Sequence, residues 1–352
     1  MSSFINNFFP IAADWIGAVL SSFLPGWIAD IIRIVISISF FFVFGTIVVM
    51  SLVYLERRII AFMQDRLGPN RVGPEGLLQP VADVIKLFSK EDIIPTNADA
   101  IVFKLSTIVM VVSALLVYTV IPFGPGMIIS DLNIGILYAV AVSSITAIGM
   151  LMAGWGSNNK YALLGAMRAA AQVISYEIPL VFSIIGVAMI SGSLSTVSIV
   201  QGQAAWGGWR WNILLQPIGF VVYFIAATAE LNRTPFDLME AESEIVAGYH
   251  IEYSGVRFAL FFLAEYLNAF AVAALGATLF FGGWLGPILP PYLWFLIKTY
   301  LLFFIFYWMR GTLPRVRIDQ LMGLAWKYLL PAALVNMAIT GLGMWIYQAL
   351  TA

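Results

Sequence analysis

The chain has 352 residues, 61% of them hydrophobic and only 11% charged, with a net charge of −1 at pH 7. Soluble proteins carry about 45–50% apolar and about 25% charged residues, so this composition excludes a soluble globular fold and indicates a polytopic membrane protein. With no cysteine and a single histidine, His250, the chain lacks the ligands for a disulfide framework, a thiolate metal site, a Cys-held iron–sulfur cluster or a bis-His haem. The near-zero net charge also argues against nucleic-acid binding.

The stretch Phe4–Ala29 is apolar but interrupted by Pro10, Asp14 and Pro25, and reads as an interfacial helix. No Lys or Arg precedes Arg33, so a secretory signal is not expected there. A template of about 20 apolar residues then gives eight spans. They are Ile34–Leu55, Leu105–Pro122, Leu132–Ala153, Val173–Ser193, Ile213–Ala229, Phe258–Phe281, Tyr292–Met309 and Tyr328–Leu350. The expected fold is all-α: one membrane domain over 1–352, with an eight-helix bundle over 34–350. Basic residues gather in the odd-numbered loops 56–100, 154–172, 230–257 and 310–327, while the alternate loops hold almost none. The positive-inside rule places those loops in the cytoplasm and both termini outside.

The first of these loops contains the Gly68–Pro69 and Gly73–Pro74 turns. After them Leu77, Leu78, Val81, Val84, Ile85 and Phe88 recur at helical spacing, with Gln79, Asp83, Lys86 and Lys90 elsewhere around the helix. That pattern predicts an amphipathic helix on the membrane or under a partner, with a plain linker helix as the alternative. In the third loop, Thr234, Pro235 and Asp237 look like a helix start and Gly248 like its stop. A helix there would put Asp237, Glu240 and Glu244 on one face, with Glu242 to the side. A solvated acidic face is the ordinary reading, but the interleaved Phe236, Leu238, Ile245, Val246, Tyr249 and Tyr253 favour a functional one. The fourth loop sets Arg310, Arg315 and Arg317 beside Asp319, fit for lipid anchoring, a polar head group or an acidic partner.

Four charges fall within or at the ends of spans: Glu177, Glu230, Glu265 and Lys298. Intramembrane charges are functional candidates by default, and a structural Lys298–Glu265 ion pair is the competing reading. No GxxxxGK[ST] or GxGxxG nucleotide loop is present.

Four segments resemble signature segments of the H subunit of proton-pumping NADH–quinone oxidoreductase (respiratory complex I). They are QDRLGPNRVGPEGLLQPVADVIKLFSKE, SNNKYALLGAMRAAAQVISYE, NRTPFDLMEAESEIVAGYHIEYSG and LPRVRIDQLMGLAWKYLLP, and the likeness extends from the first span to the last. Two departures are Met239, where many relatives have proline, and the third span, which lacks the acid some bacterial relatives place there.

The resemblance implies a subunit joining membrane arm to peripheral redox arm in a bacterial plasma membrane, with an organelle inner membrane as second choice. Quinone would be the substrate, and FMN and iron–sulfur clusters would reside in partner subunits. Glu56, Arg57, Arg66, Asp83, Tyr253, Arg310, Arg315 and Arg317 would line the quinone chamber. Tyr176, Glu177, Glu230, Arg233, Asp237, Glu240, Glu242, Glu244 and Glu265 would form an acidic proton funnel, with Lys298 pairing inside the bundle. The partners implied are peripheral iron–sulfur subunits, other membrane-arm subunits and the lipid bilayer. Competing readings are the equivalent subunit of a membrane-bound hydrogenase, of a deazaflavin-dependent dehydrogenase or of a ferredoxin–quinone complex. A secondary transporter, which would show two related halves, and a passive scaffold are the alternatives from other classes.

Overall fold

The computed structural model describes residues 17, 21–22, 25–205, 210–239 and 242–351. Most of the expected interfacial helix Phe4–Ala29 lies outside them, as do Glu240 and the side chain of Glu242. Among the described residues the chain is all-α, and its only β pairing is an isolated bridge between Gly124 and Met127.

Helix α1, Gly26–Met63, is 38 residues long. At 1.5 Å per residue that is about 57 Å, nearly twice a hydrocarbon layer of about 30 Å. The excess carries Glu56, Arg57 and Arg58 near its end. The chain then doubles back through a glycine turn. Gly76 has φ 77°, and a Cβ there would stand 2.1 Å from the Pro69 carbonyl oxygen, so only glycine fits. Helix α2, Gln79–Ser89, follows where the amphipathic pattern predicts it. Its apolar face (Val81, Ile85, Phe88) and the preceding Leu77 and Leu78 are exposed, as expected of a helix made to lie on lipid or a partner.

Helix α3, Ala100–Leu116, is capped by Asp99, whose carboxylate accepts from the amides of Ile101 and Val102. The expected third span is broken at Ser144 into α4, Gly135–Ser143, and α5, Ile145–Gly156. Helix α6, Lys160–Ser191, begins well before the expected Val173. Its first turns are rich in small residues, and Ala162, Gly165, Ala166 and Ala169 are buried there. Short helix α7, Thr196–Gly202, precedes a fifth span made of two pieces, α8 (Asn212–Leu215) and α9 (Pro217–Glu230). The 14 residues of α9 give only about 21 Å. A broken span is tolerable when the freed backbone groups are satisfied inside protein. Here the Asn212 amide donates to the Gln203 side-chain oxygen at 3.0 Å, while the Asn212 and Gln203 side chains tie the break to α11 through the Leu279 and Thr278 carbonyls at 2.8 and 3.1 Å.

After α10, Glu242–Ile245, come α11 (Gly255–Phe280) and α12 (Pro291–Thr312). Helix α13, Ile318–Gly323, continues through a π turn at Leu324–Leu329 into α14, Leu330–Thr351. Seven helical segments among the described residues are long and apolar enough to cross a membrane, and α9 is a shorter apolar helix beside them. That matches the expected count of about eight. Helices α6 and α11 form the centre: α6 packs on α5, α9 and α14, and α11 on α1, α2, α3 and α12.

The predicted acidic helix from Thr234 to Gly248 does not form. Residues 231–239 run as turns, and helix returns only at Glu242–Ile245. Packing explains the difference. Phe236, Leu238 and Met239 are all buried, a spacing that no single helical face allows. The backbone finds tertiary partners instead: Gln172 donates to the carbonyls of Ala229 and Phe236 at 2.7 and 2.8 Å, and the Val316 amide donates to the Pro235 carbonyl at 2.9 Å. Gly165 seats the far end of the loop. A Cβ there would lie 2.7 Å from the Gly248 Cα, so backbone meets backbone. Gly165→Val should therefore lift the loop from α6 and lower the thermal midpoint of the assembled complex, while an exposed control such as Leu164→Val leaves it unchanged.

Candidate functional site

At the end of the bundle where α1 stops and α11 starts, charges from four elements meet. Glu56 comes from α1, Arg233 from the turn after α9, Glu265 from α11 and Arg310 from the last turn of α12. Their side chains are well buried, Glu56 and Arg233 each 8% exposed, Glu265 13% and Arg310 28%. Glu56 accepts hydrogen bonds from Arg310 and from the Tyr266 hydroxyl. Arg233 reaches both carboxylates, Nη2 to Glu265 Oε1 at 2.9 Å and Nη1 to Glu56 Oε1 at 3.8 Å. Its guanidinium also lies over the Tyr266 ring at 4.7 Å and the Tyr307 ring at 5.8 Å. Two carboxylates and two guanidiniums balance in charge, which is what burial of four charges requires. Arg233 Nε, inside this network, has no acceptor among the described residues.

A second cluster ties the acidic loop to its neighbours. Glu244, 45% exposed, receives Arg168 of α6 at 2.6 Å and Arg315, after α12, at 3.2 Å. The Arg168 hydrogen bond and the two positive charges lower the Glu244 proton affinity. Burial likewise lowers the affinity of the nearby His250 imidazole, against the opposing pull of Glu265 and Asp237. Both shifts act in one direction. A group protonated less readily in the docked loop than in the released chain stabilises docking at high pH and loses that effect as pH falls. The His250 contribution begins to fail below about pH 6.5, its ordinary value, and that of Glu244 below about 4.5. The melting midpoint should therefore fall between about pH 7 and 5, and His250→Phe, which keeps a ring against Tyr249 and Phe258, should flatten that fall.

A third pair joins α1 to α2: Arg57 and Asp83 meet at 2.6 Å, with Gln79 donating to the same carboxylate at 3.2 Å. Arg66 is exposed and donates to Gln64, while Arg317 pairs locally with Asp319 at 3.1 Å. Neither joins the buried network. Tyr253 packs into the bundle, its ring stacked 3.9 Å from Phe103 and its hydroxyl 2.9 Å from Ser106, and burial pushes its phenol up to about 12.

Glu230, the last residue of α9, faces an internal cavity, with Glu177 of α6 near enough to interact with it electrostatically. Tyr176, beside Glu177, donates to the Leu321 carbonyl at 2.8 Å and so fixes α6 to α13. Lys298 pairs with no carboxylate among the described residues. Its ammonium donates to the carbonyls of Phe281, Gly283 and Leu285 at 2.7, 3.0 and 2.6 Å, between the rings of Trp211 and Trp294. The reason is depth. Lys298 and Arg310 stand on the same helix about 18 Å apart, so Lys298 sits toward the other end of the bundle. There it holds three carbonyls of the turn that follows α11.

Sequence reasoning misses Tyr266, Tyr307, Arg168 and Gln172. The signal for Tyr266 is its place next to Glu265; Arg168 and Gln172 share a helical face directed at the third loop.

A polytopic bundle with a charge-balanced ion network at one end defines a membrane protein built to manage charge inside an apolar frame. The chain belongs to the NADH dehydrogenase family, whose model matches residues 36–341. Relatives that carry the name of the NADH-quinone oxidoreductase H subunit are similar over most of its length. That of Dehalococcoides mccartyi strain CBDB1 is 56% identical over 309 residues, covering 88% of this chain and 86% of the relative. That of Brevibacillus brevis is 53% identical over 294 residues, covering 82% and 86%. That of Carboxydothermus hydrogenoformans is 50% identical over 301 residues, covering 84% and 85%.

Proposed function

We propose that this chain is the membrane-arm subunit of a proton-translocating NADH:quinone oxidoreductase that forms part of the quinone chamber and the start of the proton-coupling path. The observation that carries this reading is the buried Glu56–Arg233–Glu265–Arg310 network. Four charges at one end of an apolar bundle cost several kcal/mol each to bury, and a purely structural bundle has easier ways to pack. The network lies under loops that also bear Arg57–Asp83 and Glu244–Arg168–Arg315, so a polar head group entering there meets donors and acceptors in ordered positions. The quinone tail would leave through the apolar surface beside α1 and α2, where Phe62, Leu67, Leu77 and Phe88 are exposed.

In this reading the charged end faces the cytoplasm and the peripheral redox subunits, and both termini face outward. Electrons arrive from partner subunits holding FMN and iron–sulfur clusters. No group of three or more His, Cys, Asp or Glu suited to a metal occurs among the described residues. Quinone arrival or reduction changes the charge beside Glu56 and Arg310. Arg233 then divides its interaction differently between Glu56 and Glu265, and Glu265, Glu230 and Glu177 exchange protons in response. Of the remaining acids of the third loop, Asp237 and Glu244 stand at the entrance of this path.

A photoreactive quinone tests the chamber. In an active, purified complex it should label peptides from the loops 56–100, 230–257 and 310–327 of this chain, and excess native quinone should suppress the labelling. Labelling confined to partner subunits would favour a scaffold instead.

A further inference from the structure

Among the described residues, the far end of the bundle, away from the Glu56–Arg233 network, holds a single buried cation. Lys298 stands about 10 Å along α12 from Pro291, its first residue. A lysine so near a helix end ordinarily stretches outward and leaves its ammonium at the membrane surface. Lys298 turns inward instead and is only 6% exposed.

Its surroundings fix its charge state. The carbonyls of Phe281, Gly283 and Leu285 all stand within 3.0 Å of Nζ. A neutral amine has two N–H protons and an ammonium three, so three acceptors call for the charged form. The rings of Trp211 and Trp294, at 5.3 and 5.7 Å from Nζ, add attraction for a cation. The turn is shaped for this arrangement. Gly282 and Gly283 have φ of 72° and 51°, and a Cβ at Gly286 would stand 2.3 Å from Trp294 Nε1. No carboxylate among the described residues offsets the charge.

The place of this cation matters as much as its charge. Helix α9 covers only about 21 Å of a hydrocarbon layer of about 30 Å. The remaining depth is filled by α7, α8 and the chain between them, where Gln203, Asn212 and Gln216 are buried. Irregular backbone and amide side chains at membrane depth make this the polar, thin section of the wall. Lys298 borders it directly. Trp211 immediately precedes α8, and Asn212 donates to the Leu279 carbonyl, two residues before the Phe281 carbonyl that Lys298 holds. The end of α11 at Phe280 is about 22 Å along that helix from Glu265, so the cation is remote from the charge network.

We infer that Lys298 is an electrostatic seal, a fixed positive charge that keeps protons and other small cations from crossing the thin section of the bundle. A cation entering between α8 and the α11–α12 turn meets a like charge in an apolar frame, where repulsion is poorly screened. Its carbonyl partners hold the ammonium in place and cannot neutralise it. The purpose of the seal rests on the proposed coupling role, since a chain that manages protons at one end must not leak them at the other. Its test does not, because passive leak is measured without turnover.

The intact complex is reconstituted in vesicles holding a pH-sensitive dye, and an imposed pH step is followed with neither NADH nor quinone added. Lys298→Met keeps the bulk of the side chain and removes the charge, and Lys298→Gln keeps N–H donors without it. Both should raise the protein-dependent proton leak at least three-fold, while NADH oxidation by a water-soluble acceptor is unchanged. Lys298→Arg keeps a charge and should leak as the wild type does. Trp211→Leu opens space beside the ammonium but leaves the charge, so its leak should also stay at the wild-type level. A wild-type leak in Lys298→Gln, or equal leaks in Lys298→Arg and Lys298→Met, would overturn the inference. So would a raised leak in Trp211→Leu, which would make the barrier steric; this variant decides the matter where the lysine variants do not assemble. A Glu230→Gln complex that pumps normally would sink the coupling role and leave the seal standing.

Discussion

Replacing Arg233 with methionine should prevent stable accumulation of the assembled complex. Among the described residues Arg233 is the one cation in contact with both buried carboxylates, at 2.9 Å from Glu265 and 3.8 Å from Glu56. Methionine fills a similar volume but leaves Glu265 without that countercharge and Glu56 with Arg310 alone. Removing one partner of a buried ion pair costs about 3–5 kcal/mol, because the other charge stays desolvated. That is a large share of the roughly 5–15 kcal/mol that holds a typical folded domain. It also removes a guanidinium packed over two tyrosine rings. The measurement is the amount of this subunit in solubilised membranes, with the complex resolved by native electrophoresis. Arg233→Lys keeps a charge but cannot reach two carboxylates from a planar fork. It should assemble in reduced amount and show slowed quinone reduction. The double variant Arg233→Met with Glu265→Gln should recover part of the lost assembly, since it removes a buried carboxylate whose Arg233 countercharge is gone. Normal accumulation of Arg233→Met alone would show that the network is dispensable to the fold.

How much of the fold is legible in the residues depends on the kind of signal. Spans announce themselves by length and hydropathy, because lipid demands about 20 apolar residues whatever the fold. Their ends do not. Glu56, Arg57 and Arg58 read as loop residues, yet α1 continues to Met63, since a helix can run on into water with no change in apolar pattern to mark the exit. Arg57 and Asp83 are both singled out by sequence and do meet, because the glycine turns between them leave the chain little choice but to fold back. Asp237, Glu240 and Glu244 are expected on one helix face, but Asp237 lies among turns and the continuous helix does not form. Thr234, Pro235 and Asp237 fit a helix start, but Phe236, Leu238 and Met239 each find an apolar site in the bundle, and side-chain burial outweighs helix propensity.

Buried charges are easy to find and hard to pair. Glu265 and Lys298 both stand out in apolar runs, but pairing depends on depth, and depth on the direction each helix runs. Helices α11 and α12 are joined by a short turn and run oppositely. The start of one therefore lies beside the end of the other, which brings Arg310 rather than Lys298 to the Glu265 end. That much follows from the order of residues alone. The tyrosines do not: Tyr266 and Tyr307 differ from the other aromatics of their helices only by what faces them.

The second large effect belongs to Glu230. It ends α9, faces the cavity on one side, and interacts with Glu177 on α6. In the proposed path a proton passes between these two carboxylates. Glutamine keeps the size and hydrogen bonds of Glu230 but cannot gain or lose that proton. Unlike Arg233→Met, Glu230→Gln leaves no orphaned charge, so the complex should assemble in normal amount.

In the proposed mechanism the buried acids couple proton movement to quinone chemistry and are more than packing. The ratio of protons translocated to NADH oxidised, in proteoliposomes carrying Glu230→Gln, decides between the two roles. Coupling through Glu230 predicts a loss of at least five-fold in proton translocation, with NADH oxidation by a water-soluble acceptor unchanged. A Glu230→Gln complex that reduces quinone and pumps protons as the wild type does would contradict it.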